Sequence, residues 1–213
     1  MTAAELHATR SSEALEGERR FILHDVPWTT YVVLRDTLEE HSGLKLTYLE
    51  GTLELMSPSG DHEDLKKIIA RLLEAWAEEM DVDLNGRGGQ TFRTEAKRRG
   101  LEPDECYCVG PFGAIPEIAI EVVITSGLVD KLEVYRGLGV RELWVWQDGA
   151  LTVYRLTGDR YEAHERSSIL PALDVPHLTS FVATGVSQTK TTKAYRAALR
   201  ARLAAPPGRP PGT

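Results

Sequence analysis

The segment from Glu102 to Lys131 constrains this chain most. It reads Glu-Pro-Asp at 102–104, a strand over 104–109, a second strand over 117–124, and then Asp130-Lys131 at a short helix. Side chains alternate across a strand, so Ile118, Ile120, Val122 and Ile124 make one wholly branched apolar face. Glu117, Ala119, Glu121 and Val123 make the other. A carboxylate midway along so apolar a run is costly to bury unless something positive compensates it. Asp104 opens the preceding strand after Pro103, whose missing amide hydrogen suits a strand start. If the two strands pair, Asp104 and Glu121 converge.

On a helix, Lys131 stands three residues from Leu128 and four from Tyr135, on the stripe those residues should bury. An inward lysine needs an anion. Two carboxylates and one ammonium leave net negative charge, which a hard divalent cation would offset through oxygen ligands while keeping waters for chemistry. Spacing alone leaves a second reading open, a structural ion pair from Glu121 to Lys131 or to an arginine. Glu117 is an alternative ligand, because Pro116-Glu117 repeats the pattern of Pro103-Asp104 and shares a face with Glu121.

At 213 residues the chain suits one moderately large α/β domain, since two cores would each approach the small-domain limit. That domain is expected over 21–203. Residues 1–20, polar and alternately charged, and the Pro/Gly-rich 204–213 are expected to be disordered tails. No apolar run reaches bilayer length and no secretory signal opens the chain, so a cytoplasmic, non-membrane protein is expected. Cys106 and Cys108 alternate on one strand, a spacing poorly suited to a disulfide, and read as small buried residues. A formal charge of −7 argues against a general nucleic-acid coat protein. Any DNA contact must be local.

Periodicity predicts a helix over 28–41, a hairpin of strands 44–49 and 52–56 turning at Glu50-Gly51, and a long helix after Ser57-Pro58-Ser59. The stripe of that helix is Leu65, Ile68, Ile69, Leu72, Leu73 and Trp76. Gly86, Gly88 and Gly89 read as a turn before a strand at 90–96. A helix over 128–138, a hairpin of 142–147 with 151–156 through Asp148-Gly149, weak β structure at 160–165, a loop through Pro171 and Pro176, and a basic helix over 191–203 complete the pattern.

Several separate blocks then resemble one family. They are Leu49-Glu-Gly-Thr-Leu-Glu-Leu-Met-Ser-Pro-Ser59 with His62-Glu63, Gly100-Leu-Glu-Pro-Asp-Glu-Cys106, Pro116-Glu-Ile-Ala-Ile-Glu-Val122, Asp130-Lys-Leu132 with Tyr135, and Leu138-Gly-Val-Arg-Glu-Leu-Trp144. Between about Trp28 and Ser180 the chain is similar to the Uma-type restriction endonucleases of the PD-(D/E)xK nuclease superfamily. The resemblance implies a restriction-endonuclease-like α/β core, a mixed central sheet flanked by helices in the order αβββαβ. It also implies Mg²⁺ or Mn²⁺ held by Asp104 and Glu121, with the Val122 carbonyl a further ligand. The superfamily's usual lysine, two residues beyond the acid, would fall at Val123. The family's displaced lysine corresponds to Lys131, and His62 is placed near the site.

The activity implied is metal-dependent endonucleolytic hydrolysis of DNA by a homodimer, since two-strand cleavage needs two sites. The alternative is a catalytically inactive nuclease-fold scaffold. His62-Glu63 does not make a zinc protease motif, because Lys66 stands where its second histidine would. Glu54 reads as a solvent-face residue of the hairpin, and Lys97-Arg98-Arg99, with Arg87 and Arg93, as a solvated surface that DNA could touch. The basic helix reads as a candidate clasp for nucleic acid or for a second subunit.

Overall fold

A computed structural model describes residues 17–38, 43–88, 90–125 and 129–204. In chain order these form β1 (Arg19–Leu23), α1 (Trp28–Leu38), β2 (Lys45–Leu49), β3 (Thr52–Ser57), α2 (Gly60–Glu79), β4 (Leu84–Arg87), β5 (Phe92–Thr94) and β6 (Arg99–Leu101). There follow β7 (Glu105–Val109), β8 (Ile118–Val123), α3 (Lys131–Leu138), β9 (Glu142–Gln147), β10 (Ala150–Thr157), β11 (Arg160–His164), α4 (Val175–Thr179) and α5 (Gln188–Ala204). The tail expected over 1–20 lies outside the described residues as far as 16, but Arg19 and Arg20 already belong to β1. Apart from Ala204, the last residue of α5, the tail at 204–213 lies outside them, as do 39–42, Gly89 and 126–128 with Leu128.

One sheet of six strands runs β11-β10-β9-β8-β7-β4. It is mixed: β8 and β9 are parallel and every other pair is antiparallel. Parallel neighbours need a crossover, and α3 supplies it. Five of the six β8 residues are buried, because the strand is covered on both faces. Ile118, Ile120 and Val122 pack with Ile68, Ile69, Leu72, Leu73 and Trp76 of α2. Ala119 packs with Val134, Tyr135 and Leu138 of α3. The alternation expected from the sequence therefore holds, with Glu121 on the α3 face.

A second, wholly antiparallel sheet of five strands, β1-β3-β2-β6-β5, accompanies the expected one. Its outer face buries Leu46, Tyr48 and Leu53 against Tyr31 of α1. The Tyr31 and Tyr48 rings stack with centroids 4.8 Å apart. A Cβ on Gly100 would come within 2.2 Å of the Tyr31 hydroxyl, so that strand position is restricted to glycine by the ring. The register pairs Thr47 with Glu54 and Lys45 with Met56, which puts Lys45, Thr47 and Glu54 on the opposite face. That face packs on α3 through β2, β5 and β6. α3 is thus held between the two sheets, and the polar side of one meets the acids of the other.

Three local expectations are corrected. The segment around Gly86 is a strand, β4, not a turn. Its glycine lies under the Tyr107 ring, where a Cβ would approach Cε1 to 2.7 Å. The loop through Pro171 and Pro176 contains the short helix α4, because Pro176 sits in the first turn, where its missing N–H costs nothing, and Asp174 caps it. The basic helix α5 begins at Gln188 rather than at 191 and turns three of its cations to acids of this chain: Arg196 pairs with Glu78 and Glu79, Arg200 with Glu79, and Arg202 with Asp174. These clamps, with buried Tyr195 and Leu199, seat α5 on α2.

Candidate functional site

Asp104 and Glu121 are both 2 % exposed. The register that sets Glu105 opposite Ile120 puts Asp104 opposite Glu121 one step on. Asp104 is fixed from three sides. Its Oδ2 accepts the Val122 backbone N–H at 2.7 Å, which ties it to β8. Its Oδ1 accepts from Lys45 Nζ of β2 and shares a 2.8 Å hydrogen bond with His62 Nε2. Glu121 receives Lys131 Nζ at 2.6 Å on Oε2 and the Tyr135 hydroxyl on Oε1. The sequence-predicted residues Asp104, Glu121, Lys131 and His62 therefore come together.

Each is delivered by a definable local cause. His62 stands in the first turn of α2, whose cap Ser59 accepts the His62 N–H at 3.2 Å, and its ring is fully buried. Lys131 is the first residue of α3 after the cap Asp130, so it reaches Glu121 from the helix start rather than from the stripe expected with Leu128. Tyr135, one turn on along the same face, donates its hydroxyl to the other Glu121 oxygen. Burial and the Glu121 charge raise the Tyr135 pKa well above 10, so the phenol remains a hydrogen-bond donor.

The structure adds members that the sequence did not mark. Glu18 Oε2 meets His62 Nδ1 at 3.2 Å, so this histidine lies between two carboxylates. Arg20 of β1 joins Glu18 at 2.6 Å to Glu54 at 2.5 Å. Glu54 is a correction: it is 1 % exposed, not a solvent-face residue. Its Oε2 is buried with no hydrogen-bond donor in reach among the described residues. Glu117 is excluded, since it binds Arg141 and the Val109 N–H beyond the far end of β8. Glu63 is half exposed and pairs with Lys66 at 2.5 Å. The basic run is dispersed too, with Arg99 buried against Glu50 and the Glu133 carbonyl and Arg98 on the Tyr48 hydroxyl.

Burial alone would raise the Asp104 pKa, but the Lys45 charge and the His62 hydrogen bond override it and hold the acid well below the usual carboxylate range. Burial likewise opposes a charged Lys45, and Asp104 with Glu121 outweighs it, raising the lysine pKa. Because Asp104 also feels Lys131, and Lys45 feels Glu121, the two ion pairs form one electrostatic cluster. The folded pKa of Asp104 lies below its unfolded value of about 4. Its ionised form therefore stabilises the fold above about pH 4, and that contribution fades as pH falls through the folded value. The gap in urea midpoint between wild type and Asp104→Asn is expected to narrow from pH 7 towards acid; a gap independent of pH would contradict this.

Asp104 and Glu121 offer hard oxygens of the kind Mg²⁺ and Mn²⁺ take. Among the described residues no three His, Cys, Asp or Glu side chains form a ready ligand cage, so a backbone oxygen such as that of Val122 is needed beside the two acids. Four carboxylates, of Glu18, Glu54, Asp104 and Glu121, face three permanent cations, Arg20, Lys45 and Lys131. The residual charge, leaving His62 uncounted, is negative by one. A divalent ion would make it positive by one, and a phosphodiester would then neutralise it. The residues fit the ion.

Two grooves open beside the cluster. One, of about 280 Å³, is lined by Arg20, Glu121, Lys131 and Gln147; the other, of about 700 Å³, by Lys45, Glu63, Lys66, Gln90 and Glu102. No helix among the described residues is long and apolar enough to cross a membrane. The Uma2 family model, described as "Putative restriction endonuclease", matches residues 28–191. No curated protein matches the chain. The chain belongs to the Uma2 family, and its two-sheet α/β fold is of the restriction-endonuclease-like kind.

Proposed function

We propose that this Uma2 protein is a divalent-metal-dependent endonuclease that hydrolyses phosphodiester bonds of DNA. The observation carrying this reading is the pairing of two nearly fully buried acids from adjacent strands with an inward lysine on the crossover helix. Asp104, Glu121 and the Val122 carbonyl would hold Mg²⁺ or Mn²⁺, which when bound supplies Lewis acidity to polarise the phosphate and acidify a water. The protein's own groups do the rest. Lys131, at the rim of the groove that Glu121 lines, orients the attacking water or offsets charge developing on the phosphate. His62, held between Asp104 and Glu18, and the Val122 N–H keep the Asp104 carboxylate in one orientation, and the Tyr135 hydroxyl does the same for Glu121. Two such sites would be needed to cut both strands, so the proposed active form is a homodimer in the cytoplasm.

One observation favours a second reading. Each acid already carries a lysine, Lys45 on Asp104 and Lys131 on Glu121, as a silent scaffold would require. Plasmid DNA, single-stranded DNA, RNA and nucleotides incubated with Mg²⁺, Mn²⁺ or EDTA separate the two. The nuclease reading expects cleavage of DNA with metal and none with EDTA. A scaffold leaves every substrate intact and binds no Mn²⁺.

A further inference from the structure

We infer that Lys45 is a second functional lysine, which rests on Asp104 in the metal-free protein and contacts a substrate phosphate in the larger groove when a divalent cation takes its place. This rests on the nuclease reading above. Lys131 and Lys45 approach the acids from different bodies: the first from the crossover helix between β8 and β9, the second from β2 of the other sheet. An ammonium has three donors, and the Lys45 hydrogen bond found among the described residues goes to the Asp104 oxygen Oδ1 alone. A cation on that carboxylate would repel it. Lys45 already lines the groove of about 700 Å³ beside Ser57, Lys66, Gln90 and Glu102, so its ammonium has polar space to turn into.

The geometry also divides the two lysines by role. The groove at Glu121 and Lys131 is the smaller, at about 280 Å³, and suits a water and its positioning groups. The groove at Lys45 has room for nucleotide units and presents Ser57, Lys66, Gln90 and Thr91 to them. The scissile phosphate would then reach the acids from the Lys45 side. Lys45 is a positioning residue whose ammonium holds the backbone of the nucleic acid, and its contribution belongs to substrate affinity rather than to the chemical step.

The test measures binding of a duplex DNA by fluorescence anisotropy over a range of salt, with Ca²⁺ in place of Mg²⁺, alongside Mn²⁺ affinity by electron paramagnetic resonance. Lys45→Met and Lys45→Gln, the second retaining a donor for Asp104 should the first not fold, are compared with wild type and with the exposed Lys193→Met. Either Lys45 variant is expected to weaken DNA binding roughly tenfold and to lower the slope of log K against log salt by about 0.9, one phosphate contact. Mn²⁺ should bind more tightly, since its competitor is gone. Tighter Mn²⁺ with unchanged DNA affinity and slope would show that Lys45 only neutralises Asp104, overturning the inference and leaving the nuclease reading intact. A wild type with no affinity for DNA would overturn both.

Discussion

Glu121→Ala protein, purified free of host nucleases, is expected to cleave DNA at least about a thousandfold more slowly than wild type with Mn²⁺ present. That factor corresponds to about 4 kcal/mol of transition-state stabilisation, the scale on which removal of a single preorganised charge-stabilising group is felt. Glu121 is one of only two acids proposed to seat the ion, and its loss would leave Asp104 as the one seating acid and, by the count above, bring the cluster from negative by one to zero, which lowers its affinity for a cation. Mn²⁺ binding should fall with the rate. Folding should survive, because Lys131 sits at the rim of a groove and can extend its ammonium into water. Cleavage by Glu121→Ala at the wild-type rate would remove this residue from the mechanism.

Lys131→Met is expected to show the opposite division. The rate should fall by about a hundred- to a thousandfold, while Mn²⁺ affinity holds or rises, because the ammonium at 2.6 Å from Glu121 competes with any cation for that oxygen. In the metal-free protein the substitution leaves a buried carboxylate with the Tyr135 hydroxyl as its remaining hydrogen-bond donor among the described residues. Breaking a buried ion pair in this way costs roughly 3–5 kcal/mol, so unfolding should come at lower urea and recover when Mn²⁺ is added. Loss of Mn²⁺ binding with the rate retained would mean that Lys131 is structural.

The acids were legible in the sequence because local rules govern them. Strand alternation isolates Glu121 on an apolar segment and Pro103 marks where Asp104 begins a strand; Lys131 was legible as a helical residue, though not as the first one after the cap Asp130. Their partners from the second sheet were not legible. Lys45 and Glu54 occupy ordinary alternating positions on a hairpin, and nothing local says that its polar face docks against α3. Glu18 and Arg20 looked like part of a charged tail, because the signal that orders them is a tertiary one, pairing of β1 with β3 and capture of Glu18 by His62 and Thr125. β4 was hidden by its glycine, whose cause, the Tyr107 ring, is contributed by another strand. The basic character of α5 suggested a partner, whereas the counter-ions of Arg196 and Arg200 lie on α2, over a hundred residues earlier in the chain.

The central claim is that two strands bring Asp104 and Glu121 to one cation seat that Lys45 and Lys131 border. The most direct measurement is a crystal structure of the protein soaked with Mn²⁺ and recorded at the manganese absorption edge. An anomalous peak bonded to oxygens of Asp104 and Glu121, with Lys45 moved off the aspartate, is the predicted result. A crystal in which both acids keep their lysines at saturating Mn²⁺, with the ion bound elsewhere or not at all, would contradict it.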